Sequence, residues 1–384
     1  MVIKLKNKIV KKYDTLSVII LVILTLIISF FGGYMMSKMS EESASATEME
    51  KIQKEYEYII ENYNGKIDKD KITDGAIKGM LDSLEDDYSQ FEEKEDKILT
   101  GEYEGLGITI TKTEKNETVI IEVIKGSPAD EKKLKVGDII TKVDDKETNK
   151  LTNDEIVQYI SKNKEINLEI KRKEEIIKTK LKKEKVILSS INSKIIEENK
   201  NIGYIQIETF ALNTAGQFNE HLKKLEKQNI KTLIIDLRYN GGGYLSTTEK
   251  IISLLLDKKN ISYQTDDNGK IEKFYSKGDK TTKLDIVIMV NKYSASGSEM
   301  LSAALKENIN ATLIGQKTYG KGTVQEVKNV DEDSSYKITT KYWLTPKGNN
   351  INKKGLKPDV ELEINNDITK DVELDQTIEY INGK

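Results

Sequence analysis

Residues 291–325, with the apolar strand pattern before them, restrict the fold of this chain more than any other feature. The apolar run from Ile286 to Val290 predicts a buried strand, and five small residues follow, Ser294-Ala295-Ser296-Gly297-Ser298. The next segment has the apolar spacing of an amphipathic helix. A small turn between a strand and a helix presents a side chain to solvent and leaves backbone N–H groups free at the helix start. This order predicts an α/β arrangement with a serine at the turn.

A lysine between two glycines follows this helix pattern. A second apolar run, residues 311–314, leads to Tyr319-Gly320-Lys321-Gly322. A serine at a helix start and a lysine in a tight turn could form a nucleophile and its base. Such a lysine must be neutral, so burial must lower its pKa below about 10.4. Lys and Arg total 61 residues and serine-rich turns are common, so spacing alone leaves an ordinary turn open.

The composition excludes several other kinds of site. The chain has no Cys, which excludes a thiolate nucleophile, a disulfide and a cysteine metal site. Its one histidine, His221, lies in a polar run that predicts a solvated helix position. A Ser-His-Asp triad would depend on that residue alone, and histidine metal clusters are excluded. We therefore expect no metal and no cofactor, and lysine as the base of any nucleophilic serine.

The phrases SASGSE and TYGKGTVQ, taken together, resemble the core motif of the carboxyl-terminal processing (tail-specific) proteases, which are PDZ-containing Ser/Lys serine proteases. The resemblance implies that Ser296 is the nucleophile, Lys321 the general base and Gln325 a residue that positions the lysine. Gly297 and Tyr319 differ from the Ala and Phe that are frequent in the family. Since Gly297 still has a backbone N–H, neither change threatens the chemistry.

The phrase DLRYNGGG follows another apolar strand pattern and resembles the family motif D-L-R-x-N-x-G-G. Three glycines let the backbone approach a ligand closely, and successive N–H groups can form an anion nest. An ordinary glycine turn remains open, whereas a Walker loop lacks its Gly-Lys-Ser/Thr. The resemblance implies an oxyanion hole formed by Gly242, with Gly243 as the neighbouring alternative, and Gly297. We expect Asp236 and Arg238 to be structural, as an ion pair.

Residues 101–185 have short alternating or apolar runs separated by turn residues, which predicts a compact β-rich domain. The phrases GLGI, GSPAD and LKVGDII resemble a PDZ domain. PDZ domains add an extended peptide to a sheet edge and hold its terminal carboxylate in a backbone nest. The resemblance implies that the peptide site comprises Gly105, Leu106, Gly107, Ile108, Ile156 and Ile160.

Residues 16–36 carry no charge and follow a lysine-rich tail. As a helix this stretch would span about 31 Å, enough to cross a bilayer core. The preceding positive charge predicts a cytoplasmic N-terminus and an extracytoplasmic remainder. A cleaved signal peptide is the alternative, since Ala44-Ser45-Ala46 resembles a cleavage site. We favour an uncleaved single-pass anchor in the cell membrane.

These patterns predict a multidomain α/β (α+β) chain: a transmembrane helix, a helical segment and a PDZ-like domain inserted before an α/β serine-protease core. The net charge of −3 gives no reason to expect nucleic acid as a partner. The predicted segments are 1–15 (cytoplasmic basic tail), 16–36 (signal-anchor helix), 47–98 (helical), 101–185 (PDZ), 186–365 (protease core) and 366–384 (C-terminal).

We therefore expect a membrane-anchored serine endopeptidase that cleaves extracytoplasmic proteins near their C-termini or in exposed segments. Its partners would be substrates with accessible C-termini, and its PDZ domain would bind those ends or gate activity; a homo-oligomer is left open. The alternative is a catalytically silent tethered PDZ scaffold, which loss of Ser296, Lys321 or the glycine motif would indicate; all three are present. A different amide hydrolase with the same dyad is a third possibility.

Overall fold

The computed structural model describes residues 15–92, 97–331, 334–362 and 370–383. The chain divides into two compact units, Met1–Ile77 and Lys78–Lys384. The first contains a long helix, α1 (Thr15–Asn62). Helix α2 (Lys69–Asp82) follows along the chain. Both helices agree with the helical pattern predicted for the segment that begins at residue 47.

The structure does not support the membrane span predicted for residues 16–36. Helix α1 includes this stretch, and apolar side chains such as Ile28, Phe30 and Met36 are exposed on it. In the parts of the chain that the structure describes, no helix has the length and apolarity needed to cross a bilayer. Residues 1–14 of the predicted basic tail lie outside the described residues.

The predicted PDZ region forms a β domain around one apolar core. Its main sheet has the strand order β3-β4-β5-β7-β8, with β6 beside β5, while β2 pairs with β9. On β7, Ile166, Leu168 and Ile170 alternate inward, as expected for a sheet with one buried face. The elements are α3 (Lys97–Thr100), β2 (Glu102–Gly105), β3 (Ile108–Lys112), β4 (Thr118–Val123), α4 (Pro128–Glu131), β5 (Ile139–Val143), β6 (Lys146–Glu147), a 3-10 turn (Thr148–Lys150), α5 (Asn153–Lys162), β7 (Glu165–Arg172), β8 (Glu175–Lys182) and β9 (Glu184–Ile187).

The remaining chain builds a largely parallel sheet of order β10-β11-β12-β15-β16-β19. Its central strands are mostly apolar because helices cover both faces. Helices α6, α7 and α8 lie on one face and α9 lies on the other. The elements are β10 (Ile191–Ile195), β11 (Ile202–Ile207), α6 (Thr214–Glu226), β12 (Thr232–Asp236), α7 (Leu245–Leu255), β13 (Ile261–Asp267), β14 (Lys270–Tyr275), β15 (Asp285–Val290), α8 (Gly297–Ile309), β16 (Thr312–Gly315), β17 (Thr323–Asn329), β18 (Ser335–Leu344), β19 (Val360–Glu361) and α9 (Val372–Asn382).

A second, antiparallel sheet completes the protease region and includes a strand from before the PDZ domain. Its order is β1-β18-β13-β14, with β17 also paired to β18, and β1 is Gln90–Glu92. The PDZ domain precedes the protease core, as predicted. In addition, β1, which comes before the PDZ domain, pairs with β18 of the protease region, far away in sequence.

The C-terminal segment, which the sequence left without a role, is tied to the sheet by charge. Arg238 contacts Asp236 at 2.6 Å, Asp371 at 2.7 Å and Glu373 at 2.6 Å. The predicted Asp236–Arg238 ion pair is confirmed, and Tyr204 donates a further hydrogen bond to Asp236 at 2.8 Å. These contacts fix the start of α9 against the end of β12, immediately before the glycine motif.

Candidate active site

Ser296 lies in the turn between β15 and α8, as the pattern predicted. Its backbone has φ 53° and ψ −113°, a conformation unusual for a residue with a side chain. Such a conformation costs roughly 1–3 kcal/mol and persists only where its surroundings hold it. Here the Ala295 N–H donates to the Asn240 carbonyl at 3.0 Å, and Ser294 Oγ donates to the Leu237 carbonyl at 2.8 Å. The glycine motif therefore holds the serine turn in place.

A buried carboxylate, Glu299, joins the serine turn to the lysine turn. Its Oε2 accepts the backbone N–H groups of Ser296 at 3.0 Å and Lys321 at 2.9 Å. Its Oε1 accepts the Gly320 N–H at 2.7 Å and the Thr318 hydroxyl at 2.5 Å. Burial raises the pKa of Glu299, and these four hydrogen bonds oppose that shift. No role was predicted for Glu299, although its place at the end of SASGSE is a signal in the sequence.

Lys321 comes directly after Gly320 in the chain, and its side chain is partly buried. Its Nζ lies over the ring of Tyr88, 4.5 Å from the centroid. Burial lowers the pKa of Lys321, the Lys337 charge lowers it further, and Asp86 acts in the opposite direction. Within the described residues, no hydrogen bond joins Lys321 Nζ to Ser296 Oγ. The lysine thus has the environment that a neutral amine needs, but its amine faces a tyrosine ring.

Gln325, predicted to position the lysine, lies on β17 in the same cleft. Its Nε2 donates to Thr323 Oγ1 at 2.8 Å and to Thr339 Oγ1 at 3.2 Å. Among the described residues it makes no hydrogen bond to Lys321. The glutamine amide is therefore directed at hydroxyl groups of neighbouring strands in this arrangement.

The two glycines assigned to the oxyanion hole flank Ser296. Gly242 has φ 107°, and a Cβ built on it would lie 2.9 Å from Ser296 Cβ, so only glycine fits there. Its N–H donates to Asn240 Oδ1 at 2.8 Å. Gly297 is the first residue of α8, where a backbone N–H has no partner within the helix. Of the two predicted donors, one is thus engaged by a buried asparagine.

One cleft of about 530 Å³ brings Ser296, Gly297, Gly242, Lys321 and Gln325 together. Apolar side chains form part of its wall. Within the described ranges, no group of acidic or histidine side chains is arranged to hold a metal ion. The apolar lining residues are Leu99, Leu245, Met300, Val324, Val327 and Trp343.

The residues predicted for the PDZ peptide site divide into two groups. Gly105, Leu106, Gly107 and Ile108 form the connection from β2 to β3, and β3 ends the strand order of its sheet. Ile108 and Ile160 are partly buried, but Ile156 is completely buried in the domain core. The Ile156 side chain packs inside the domain, while the role of these residues in binding a peptide stays a prediction.

His221 lies on α6, but it is not the solvated residue that was predicted. It is partly buried, and its Nδ1 is 2.6 Å from Ser193 Oγ. Burial lowers the pKa of His221. The histidine does not line the cleft that contains Ser296. Its partner on β10 could not be inferred from a polar helix pattern.

Three family models match successive parts of the chain. The model "Activating protease CtpB N-terminal domain" matches residues 33–96, a PDZ domain model matches residues 97–171, and "Peptidase family S41" matches residues 201–362. The S41 match contains the serine, the lysine and the glycine motif. The order of the three models agrees with the order of the domains in the structure.

Full-length relatives show the same similarity. The chain is 36% identical over 339 residues to the carboxy-terminal processing protease CtpA of Bacillus subtilis (strain 168), covering 85% of this chain and 72% of the relative. It is 31% identical over 358 residues to a protein of Staphylococcus aureus (strain COL) described as a probable CtpA-like serine protease, covering 90% and 71%. These alignments extend across most of the chain rather than one domain.

A solved structure shares the fold. It comes from Bacteroides fragilis NCTC 9343, is assigned to family S41, and superposes with a TM-score of 0.51 at 16% sequence identity. The match covers 80% of this chain and 90% of the other. At this identity the likeness concerns the fold alone.

Proposed function

Because the chain belongs to the PDZ-containing carboxy-terminal processing proteases of peptidase family S41, we propose that Ser296 and Lys321 are the catalytic dyad of this serine protease. The observation that carries the proposal is the shared acceptor Glu299, which ties both turns to one buried carboxylate at the cleft. A structural lysine would not need burial that disfavours its charge. The lowered pKa of Lys321 supports a base rather than a surface cation.

In the proposed reaction, Ser296 Oγ attacks the scissile carbonyl while neutral Lys321 accepts the hydroxyl proton. The lysine then gives that proton to the leaving amine, which leaves an acyl-enzyme on the serine. Lys321 activates a water molecule that hydrolyses the ester. The Gly297 and Gly242 N–H groups would stabilise the oxyanion, and removing one such donor typically costs about a hundredfold or more in rate.

Two groups must move before this reaction can proceed. The Lys321 amine must leave the Tyr88 ring for Ser296, and the Gly242 N–H must leave Asn240 Oδ1 for the oxyanion. Lys321, Gly242 and Ser296 line one cleft. We infer that substrate binding drives both movements, which makes the described arrangement a resting state of the site.

The proposed substrates are proteins or peptides with accessible C-termini. The connection from β2 to β3 supports this, since Gly107 has φ 79° and lies beside an edge strand that an extended peptide can join. The apolar wall of the cleft favours an apolar side chain next to the cleaved bond. In this proposal the PDZ domain recognises the chain end, and Ser296 cuts upstream of it.

Anchoring in the cell membrane, with an extracytoplasmic protease, is also a proposal. It rests on the uncharged stretch 16–36 and the lysine-rich tail before it, together with the exposed apolar side chains of α1. Fractionation of the full chain tests it: carbonate-resistant pelleting and protease sensitivity from the outside are expected. Recovery in the supernatant without detergent would refute an anchor.

The experiment for the dyad compares the full chain with Ser296→Ala and Lys321→Ala on an unstructured protein that ends in apolar residues. Lys317→Ala is a matched control, because Lys317 is exposed and lies outside the cleft. The parent and the control should cleave, and neither dyad variant should. Equal cleavage by the parent and all three variants would show that Ser296 and Lys321 are not the catalytic dyad. Binding of free C-termini without cleavage by the parent would favour the PDZ scaffold.

A further inference from the structure

The turn before the PDZ domain is built into the protease sheet beside the proposed base. Strand β1 pairs antiparallel with β18, with Gln90 opposite Lys337. Immediately before β1, Ser89 Oγ accepts the Thr339 N–H at 3.0 Å and donates to Asp86 Oδ2 at 2.5 Å. Residues 86–89, here called the clamp turn, are therefore fixed to β18.

The clamp turn is connected to both Lys321, the proposed base, and Gln325, the residue predicted to position it. The Tyr88 ring lies under Lys321 Nζ, 4.5 Å from the centroid, and a ring face attracts an ammonium group. Thr339, which binds Ser89, also accepts a hydrogen bond from the Gln325 amide at 3.2 Å. One short turn thus contacts the lysine directly and the glutamine through a single threonine.

We propose that Tyr88 is a positioning residue for Lys321. The Tyr88 ring holds the charged lysine amine in a resting position until the clamp turn shifts. The inference rests on the proposed Ser296–Lys321 dyad. In this proposal the clamp turn, which precedes the PDZ domain, controls when Lys321 can act as the base. In this proposal Tyr88 takes no part in bond making or proton transfer and acts through the lysine amine alone.

The surroundings of Lys321 make the ring its main holder. Within the described residues, Lys321 forms no salt bridge. The carboxylate oxygens of Glu299, on α8, accept hydrogen bonds from three backbone N–H groups and one hydroxyl rather than from the lysine amine. The other groups that face the site are Asp86 in the clamp turn, Lys337 on β18 and the Tyr319 hydroxyl in the lysine loop.

The chain itself couples the clamp turn to the PDZ domain. From Glu92 it continues to α3, the first described element of the PDZ match. Two hydrogen bonds join the start of the PDZ region to the protease region: the Leu212 N–H donates to the Leu99 carbonyl at 3.0 Å, and Asn213 Nδ2 donates to the Gly101 carbonyl at 2.6 Å. The clamp turn and the start of the PDZ domain are therefore neighbours along the chain, so a peptide that shifts the PDZ domain would act close to the clamp turn.

The test uses full-length Tyr88→Leu and Tyr88→Phe. Leucine keeps apolar cover over the amine without a ring face, whereas phenylalanine keeps the ring. On the acidic side of its pH profile, Tyr88→Leu should show kcat/KM about three- to tenfold above the parent, from the loss of one cation–π contact. Tyr88→Phe should keep the parent's pH midpoint. The preference for a substrate with a free over an amidated C-terminus should shrink in Tyr88→Leu.

A second readout separates this inference from the proposed function. Pulsed acylation of lysines, followed by mass spectrometry across a pH series, measures Lys321 reactivity in a Ser296→Ala background, where nothing is cleaved. Lys321 should become reactive at lower pH in Tyr88→Leu than in Tyr88→Phe. Identical Lys321 profiles, or a uniform loss of activity in both variants at every pH, would overturn the role of Tyr88. Cleavage by Ser296→Ala would instead overturn the dyad.

Discussion

Ser296 and Lys321 donate their backbone N–H groups to the same oxygen, Glu299 Oε2, at 3.0 and 2.9 Å. The serine turn connects β15 to α8 and the lysine turn connects β16 to β17, so nothing local sets their separation. A buried carboxylate with four donors is rigid, because each lost bond would leave a polar group unpaired. Glu299 therefore sets the distance between the proposed nucleophile and base, although it faces their backbones rather than their side chains.

Glu299→Gln should impair both folding and cleavage. An amide offers one acceptor oxygen, so its NH₂ group must face donors that now bind an oxygen. We expect a loss of stability of about 2–4 kcal/mol and a fall in kcat of at least tenfold. Chemical denaturation and peptide cleavage measure the two effects. Glu326→Gln, on an exposed residue of β17, is the matched control and should change neither. A fully active, stable Glu299→Gln would show that the shared acceptor is dispensable.

The pH dependence of cleavage should respond in opposite directions to two charges. Activity requires neutral Lys321, so the rate rises as pH rises through the pKa of Lys321, which burial lowers. The Lys337 charge lowers that pKa and Asp86 raises it. Lys337→Gln should therefore move the acidic limb to higher pH, and Asp86→Asn should move it to lower pH. Both shifts should weaken in high salt. Shifts in the same direction would contradict Lys321 as the titrating base.

Lys321→Met should stop cleavage yet stabilise the protein. Because burial lowers the pKa of Lys321 in the folded state, holding its proton there costs folding energy below the pKa of the unfolded chain. Methionine removes that cost, so we expect a gain of about 1 kcal/mol at neutral pH. The gain should begin to fade as pH rises through the lowered folded pKa of Lys321 and should be gone above the unfolded value of about 10.4, where the lysine is neutral in both states. A destabilised variant at neutral pH would mean that the Tyr88 contact outweighs desolvation.

Gly242→Ala should abolish activity through backbone strain and crowding. The residue has φ 107°, and the new Cβ would lie 2.9 Å from Ser296 Cβ and 3.1 Å from the Ala295 carbonyl oxygen. We expect at least a hundredfold loss of kcat, as for the loss of an oxyanion donor. Gly216→Ala on α6, where a Cβ meets nothing within 4 Å, should leave cleavage intact. If Gly242→Ala were active, Gly242 would not be the oxyanion donor, and Gly243 would take its place in the proposal.

Asp371→Asn should loosen the C-terminal helix. Desolvation opposes the shift, but hydrogen bonds and attraction from Arg238 lower the pKa of Asp371. Its stabilising contribution is therefore present above the unfolded value of about 3.9 and is lost as pH falls through the lower folded value. Hydrogen exchange of the α9 peptide should speed up several-fold at neutral pH in the variant. Asp375→Asn, on an exposed residue of the same helix, should exchange like the parent. Equal exchange in both variants would show that Arg238 does not secure α9.

Local patterns predicted the turn of Ser296, the strands around it and the Asp236–Arg238 pair, because strand and helix periodicity and turn chemistry are local properties. The bond from Glu299 to the lysine turn and the ring of Tyr88 on Lys321 were missed. Both depend on pairings between distant segments, which periodicity does not encode. Ile156 illustrates a third limit, since an apolar helix position can face a groove or a core with the same spacing.

The pairing of β1 with β18 also determines how this protein can be divided. Residues 90–92 cover one side of β18, so a fragment that begins after the PDZ domain would leave backbone N–H and C=O groups of that strand bare. Bare strand edges recruit other chains and promote aggregation. A soluble protease without its PDZ domain would therefore have to keep the chain up to residue 92 and rejoin it near residue 188, as an excision rather than a truncation.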